Sequence, residues 1–143
     1  MTKLSKESKQ QITAVNNRII TLRGQQVIID RDVAELYGVE TKRVNEALKN
    51  NPDKFPSGYL LTLTKAEKHE LVEIFDRFKA LKHSTVAPKA FTEQGLYMLA
   101  TILKSPLATQ TTIAIIDTFT KLRQLSRSIA TANSNGNITP EEQ

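Results

Sequence analysis

Six side chains between Thr41 and Lys49 have the types and spacing needed to read and grip a nucleic acid: Thr41, Lys42, Arg43, Asn45, Glu46 and Lys49. An arginine can bind the edge of guanine through two hydrogen bonds, and an asparagine can do the same to adenine. A glutamate can accept from the amino group of cytosine, while lysine and threonine suit phosphates. On an expected helix these residues project opposite Val44 and Ala47. Arg43 and Asn45 are therefore expected to discriminate bases, and Lys42 and Lys49 to hold phosphates. The bland alternative is a packed helical corner with one wet face. Five acids between Asp30 and Glu46 count against phosphate attraction, with Glu40 and Glu46 nearest the expected DNA face.

The elements that must position this face can be read from local signals. Over the twenty residues from Asp30 to Lys49, Val33 and the small Ala34 point inward, and Tyr37-Gly38-Val39 forms a corner. Gly38 can take the left-handed conformation that ends one helix and reverses the chain toward the next. Asp30 is expected to be the N-cap of the first helix. Upstream, Ile19–Leu22 and Gln25–Ile29 flank Gly24 as a hairpin. Downstream, Tyr59–Leu63 reads as a strand, and Thr64-Lys65-Ala66-Glu67 has capping-box spacing. That box opens a helix expected to carry Leu71, Ile74, Phe75 and Phe78 on one face. Residues 82–90 read as a polar loop, with a short strand as the alternative. Thr92 caps a helix with Leu96, Leu99 and Leu103, and Ser105-Pro106 interrupts it. A long helix from Leu107 to Ile129 carries Ile115, Phe119, Leu122 and Ile129, broadened by Ile116 and Leu125. The expected class is α+β: a helix-turn-helix core, a small antiparallel hairpin or sheet, and a long C-terminal helix.

Other chemistries find little support. There is no cysteine, which excludes disulfides, thiolate metal sites and thiol nucleophiles. His69 and His83 stand on different expected elements, and paired carboxylates such as Asp30 and Asp32 could hold a nuclease metal in principle, but one of them is better explained as a cap. No glycine-rich phosphate loop or nucleophile elbow is visible. The expectation is a protein that is not an enzyme and holds no cofactor. The net charge is +5, from 20 bases against 15 acids. The excess lies in residues 1–29, with five bases and one acid, and in residues 65–90, with six and four. A basic excess attracts nucleic acid but does not prove it as a partner. No apolar run spans a bilayer, and the first residues lack a secretion signal, so the expected location is cytoplasmic, away from membranes.

Several blocks together resemble a known family. They are Arg23-Gly24-Gln25, then Asp30 through Asn45, then Asn51 to Pro56 with Thr62-Leu63-Thr64-Lys65, and last Ala90-Phe91-Thr92-Glu93-Gln94-Gly95 leading to Leu103. In this order they resemble the ORF-six N-terminal domain family, of the KilA-N group of phage and DNA-virus domains. Lys89 stands where that family usually has an aromatic residue, and Thr112-Ile113 where it has Asn-Ile. The resemblance implies residues 16–128 as a DNA-binding domain, of the kind found in phage antirepressors and prophage-derived transcriptional regulators. Residues 1–15 read as a flexible basic arm, with a nascent helix as the alternative, and 129–143 as a disordered polar tail. The expected partner is double-stranded DNA, with homodimerisation through residues 107–129 pairing two half-sites, or, as the bland alternative, that helix closing the domain's own core. The alternative is a protein-interaction module that binds another regulatory protein, for which Phe91–Gly95 is the suspected segment. Its bland reading is a helix start, with Phe91 in the core and Thr92 as cap.

Overall fold

A two-residue turn sets the first hairpin. The computed structural model describes residues 6–137, with β1 at Ile20–Leu22 and β2 at Gln25–Ile29 joined through Arg23 and Gly24. Both turn residues take positive φ, 53° and 76°, which matches the twist of a tight hairpin. For Arg23 this conformation is unfavourable by roughly 1–2 kcal/mol. It is held by its own side chain, which donates to Glu67 at 2.8 and 2.9 Å and to the Thr62 carbonyl at 2.9 Å.

The hairpin continues into a four-stranded antiparallel sheet of order β1-β2-β4-β3, with β3 at Leu60–Thr62 and β4 at Lys89–Phe91. Period-two alternation sends its side chains to two separate cores. Ile28 and Phe91 point into the larger one, while Val27, Ile29 and Ala90 point into the smaller one with Leu63, Leu71 and Phe78. The segment expected to be a polar loop thus contains an inner strand, the alternative weighed for it.

Six α-helices complete the described residues: α1 at Lys6–Arg18, α2 at Asp30–Tyr37, α3 at Thr41–Asn50, α4 at Lys65–Ile74, α5 at Glu93–Ala100 and α6 at Ala108–Asn137. The α+β class holds, with a long C-terminal helix. The capping box at Thr64 forms in both directions, with Thr64 Oγ1 accepting from Glu67 N and Glu67 accepting from Thr64 N. Thr92 Oγ1 accepts from Gly95 N and donates to the Gly58 carbonyl at 2.8 Å.

Three expectations are corrected. Residues 6–15 are not a flexible arm: they belong to α1, which packs along α6 and buries Val15 fully, with Gln11 donating to Gln110. Local composition hides this because the stabilising surface, Ile115 and Phe119, lies about a hundred residues away. Residues 129–137 are helical as the end of α6, while residues 1–5 and 138–143 of the expected arm and tail lie outside the described residues. The helix expected to carry Leu71 through Phe78 stops at Ile74, which is exposed, and a 3-10 stretch from Asp76 to His83 supplies Phe78 to the core. Ile115 and Phe119 are buried in the chain's own core, the alternative weighed for this helix, while among the described side chains of α6 Ile113, Ile116 and Leu125 are exposed.

Two outcomes follow from these contacts. A Cβ on Gly95 would stand 2.0 Å from the Tyr59 carbonyl oxygen, a backbone atom that cannot swing aside. Gly95→Ala is expected to cost at least about 3 kcal/mol in urea unfolding, or to prevent folding. The Glu67 carboxylate is held down at about 2, first by the Arg23 hydrogen bond and then by the Thr64 backbone N–H. A carboxylate lowered on folding stabilises the fold above its ordinary value of 4.5 and loses that contribution as pH falls toward 2. The urea midpoint of Glu67→Gln should therefore fall less steeply than the parent's between pH 4.5 and pH 2.

Candidate nucleic-acid interface

The turn between α2 and α3 has the hydrogen bonds of a Schellman motif. Gly38 takes φ 68°, Gly38 N donates to the Glu35 carbonyl at 3.2 Å, and Val39 N donates to the Ala34 carbonyl at 2.9 Å. The next two carbonyls of α2 are capped from elsewhere. Thr111 Oγ1 donates to Leu36 O at 2.9 Å and Ser105 Oγ to Tyr37 O at 2.8 Å. Leu107 closes over Gly38 so tightly that a Cβ there would meet its Cδ1 at 3.0 Å. With α2 fixed, α3 seats Val44, Ala47 and Leu48 in the core and turns its other side outward.

The first turn of α2 is a polar anchor. Ile29, not Asp30, occupies the cap position, because Asp30 already has helical backbone. Its buried carboxylate instead accepts from Arg31 N at 2.8 Å and from Lys89 N of β4 at 3.4 Å. Burial raises its pKa; the Lys89 and Arg31 N–H groups and the Asn45 side-chain amide oppose the rise. Asp32 is likewise not a free surface carboxylate. Arg77 binds it through two nitrogens at 3.0–3.2 Å, with the guanidinium lying over the Phe75 and Phe78 rings. Both carboxylates are thus engaged by N–H donors, and among the described residues no cluster of three or more His, Asp and Glu that could hold a metal is present.

The six expected contact residues do not share one position. Lys42, Glu46 and Lys49 are exposed and lie one helical turn apart along the centre of the outer face. At about 100° per residue, Arg43 and Asn45 stand about 160° apart around α3, on opposite shoulders. Arg43 is exposed, whereas Thr41 and Asn45 are half-buried. The Asn45 amide faces the Asp30 carboxylate, and its Oδ1 is buried with no hydrogen-bond partner among the described residues. It does not present solvent with the donor and acceptor pair that adenine requires. Beside α3 runs an open groove of about 610 Å³. Lys42, Asn45, Glu46 and Lys49 line it from one side and Val86 and Lys89 from the other, so β4 and the segment before it share the α3 surface. Nothing in local sequence could place them there, since antiparallel pairing of β2 with β4 does it.

The suspected binding segment Phe91–Gly95 is accounted for by the fold. Phe91 is fully buried and stacks edge-on against Phe55 at 6.3 Å, Thr92 caps α5, and Gly95 lets α5 touch the backbone at Tyr59.

These features define an α+β module in which an antiparallel sheet and a long helix hold a pair of short helices with the second one exposed. The chain matches the family model of the ORF6N domain over residues 17–102, more than half its length, and it belongs to that family. The comparisons with curated proteins and with solved structures gave no match. Among the described residues no helix is long and apolar enough to cross a membrane.

Asn45 is thus a residue of the fold as well as of the surface. Asn45→Ala removes a half-buried polar side chain beside the buried Asp30 carboxylate, and thermal unfolding should show a loss of about 1 kcal/mol, unlike Lys42→Ala or Lys49→Ala.

Proposed function

We propose that this chain is the DNA-binding module of a phage-type transcriptional regulator or antirepressor, and that it reads duplex DNA by presenting α3 to the major groove. The observation that carries this reading is the split character of α3. Its inner side is locked in the core, and its outer side offers Lys42, Arg43 and Lys49 to solvent without a carboxylate partner among the described residues. Membership of the ORF6N family, a phage-type regulatory and DNA-associated one, supports it. Arg43, on one shoulder, is the base reader, with its fork suited to guanine. Lys42 and Lys49, in the centre, hold phosphates, and Thr41 at the helix start adds a hydroxyl beside the partial positive charge of the helix end. Glu46 between the two lysines limits their attraction and penalises misplaced phosphate. Asn45, half-buried with its Oδ1 turned inward, does not read a base.

The test is a salt titration of binding to a selected duplex and to a scrambled one. Arg43→Ala should cost about 1–3 kcal/mol on the selected site and flatten preference at one base position. Lys42→Ala and Lys49→Ala should weaken both duplexes alike and lower the salt slope by about one unit each. Wild-type affinity and preference in all three variants would overturn α3 as the reading element.

A further inference from the structure

The groove beside α3 has a second wall that the reading of α3 alone leaves without a role. Val86 on that wall is 64% exposed, among the most exposed large apolar side chains described. It does not sit on a loose loop. Lys68 Nζ donates to the Ser84 carbonyl, and Ser84 Oγ accepts from Val86 N at 3.2 Å. At the other end Leu63 N donates to the Pro88 carbonyl at 3.0 Å, and Lys89 N donates to Asp30. The turn bearing Val86 is thus fastened to α4, to β3 and to the start of α2.

The groove itself is amphipathic. Phe55, Leu60 and Val86 give it apolar surface, and Lys42, Lys49 and Lys89 supply cations along its walls. Geometry selects the ligand. A helix of about 10–12 Å diameter fills a major groove about 12 Å wide, so a sugar–phosphate strand must run along each flank. Whatever the protein places beside α3 has to receive one of those strands. An apolar surface with a cationic edge does so, because deoxyribose packs on the first and phosphate is held by the second.

We infer that residues 84–89 form a second DNA-contact element, in which Val86 packs against deoxyribose and Lys89 holds a phosphate of one strand bordering the major groove. This rests on the reading of α3 as the element in that groove. Its contribution is to position the duplex, independent of base sequence.

Two substitutions at one exposed position give opposite signs, which a folding defect cannot do. Val86→Glu should weaken binding about tenfold on selected and scrambled duplexes alike. Val86→Lys should strengthen binding on both and steepen the salt slope by about one unit. Both variants should melt with the parent. Lys42→Ala is measured alongside. If both Val86 variants bind as the parent does while Lys42→Ala is weakened, this inference is overturned and the reading of α3 stands, leaving the groove to a protein partner. If Lys42→Ala also binds as the parent does, the reading of α3 falls and this inference falls with it.

Discussion

The start of α2, from which α3 hangs, is tied to the sheet by one buried carboxylate. Asp30 stands where the end of β2 becomes α2, and its oxygens accept from the backbone of β4 and from its own helix. The half-buried Asn45 of α3 lies beside the same group. Removing a carboxylate from water is unfavourable, and it is tolerated here because N–H groups and the start of a helix surround it. An apolar contact at this junction would have let α2 slide or rotate with little loss. Hydrogen bonds are directional, so the sheet and the start of α2 are fixed relative to one another through a single group, and α3 follows α2 through the Gly38 turn and the seating of Val44, Ala47 and Leu48 in the core.

The other end of α2 is fixed by different means. Gly38 turns the chain, Ser105 and Thr111 occupy the carbonyls left over, and Leu107 covers the turn. The family match ends at residue 102, just before these clamping residues. The helices outside the match, most of α1 and all of α6, pack on each other and on the back of α2. The matched core therefore carries the exposed helix, and the flanking pair braces its support. Tyr37 joins both roles: its ring is fully buried and its hydroxyl meets Thr112 Oγ1 at 3.1 Å.

What could be read in the sequence was what is decided locally. Gly38, the Thr64–Glu67 box and the Thr92 cap each satisfy nearby backbone groups, and residue type and spacing suffice to locate them. The inward residues of α2 and α3 followed from helical period. What could not be read was decided by partners distant in sequence. Residues 6–18 look polar until α6 covers Ile12 and Val15. Asp30 looks like a cap until β4 brings it the Lys89 N–H, and Asn45 looks like an adenine reader until the fold half-buries it and encloses its Oδ1. The end of α4 is not legible because Phe75 and Phe78 keep helical spacing across a break, where Phe75 takes extended backbone between α4 and a tighter 3-10 stretch.

Charge shows the same dependence on tertiary structure. Five acids between Asp30 and Glu46 weigh against DNA when they are merely counted. In the fold, Asp30 is buried among donors, Asp32 is bound by Arg77, and Glu35 is bound by Arg18. Two arginines elsewhere are used in the same way, Arg23 on Glu67 and Arg123 on Glu93. Arginine suits these pairings because its planar fork meets a carboxylate at two points. Of the five acids, Glu40 and Glu46 alone are left near α3, facing Lys42, Arg43, Lys49 and, across the groove, Lys89. The ion pairs that fasten the helices thus also withdraw negative charge from the exposed face. A window that looks nearly neutral in sequence becomes cationic at its surface, and the change comes from which acids the fold has already partnered.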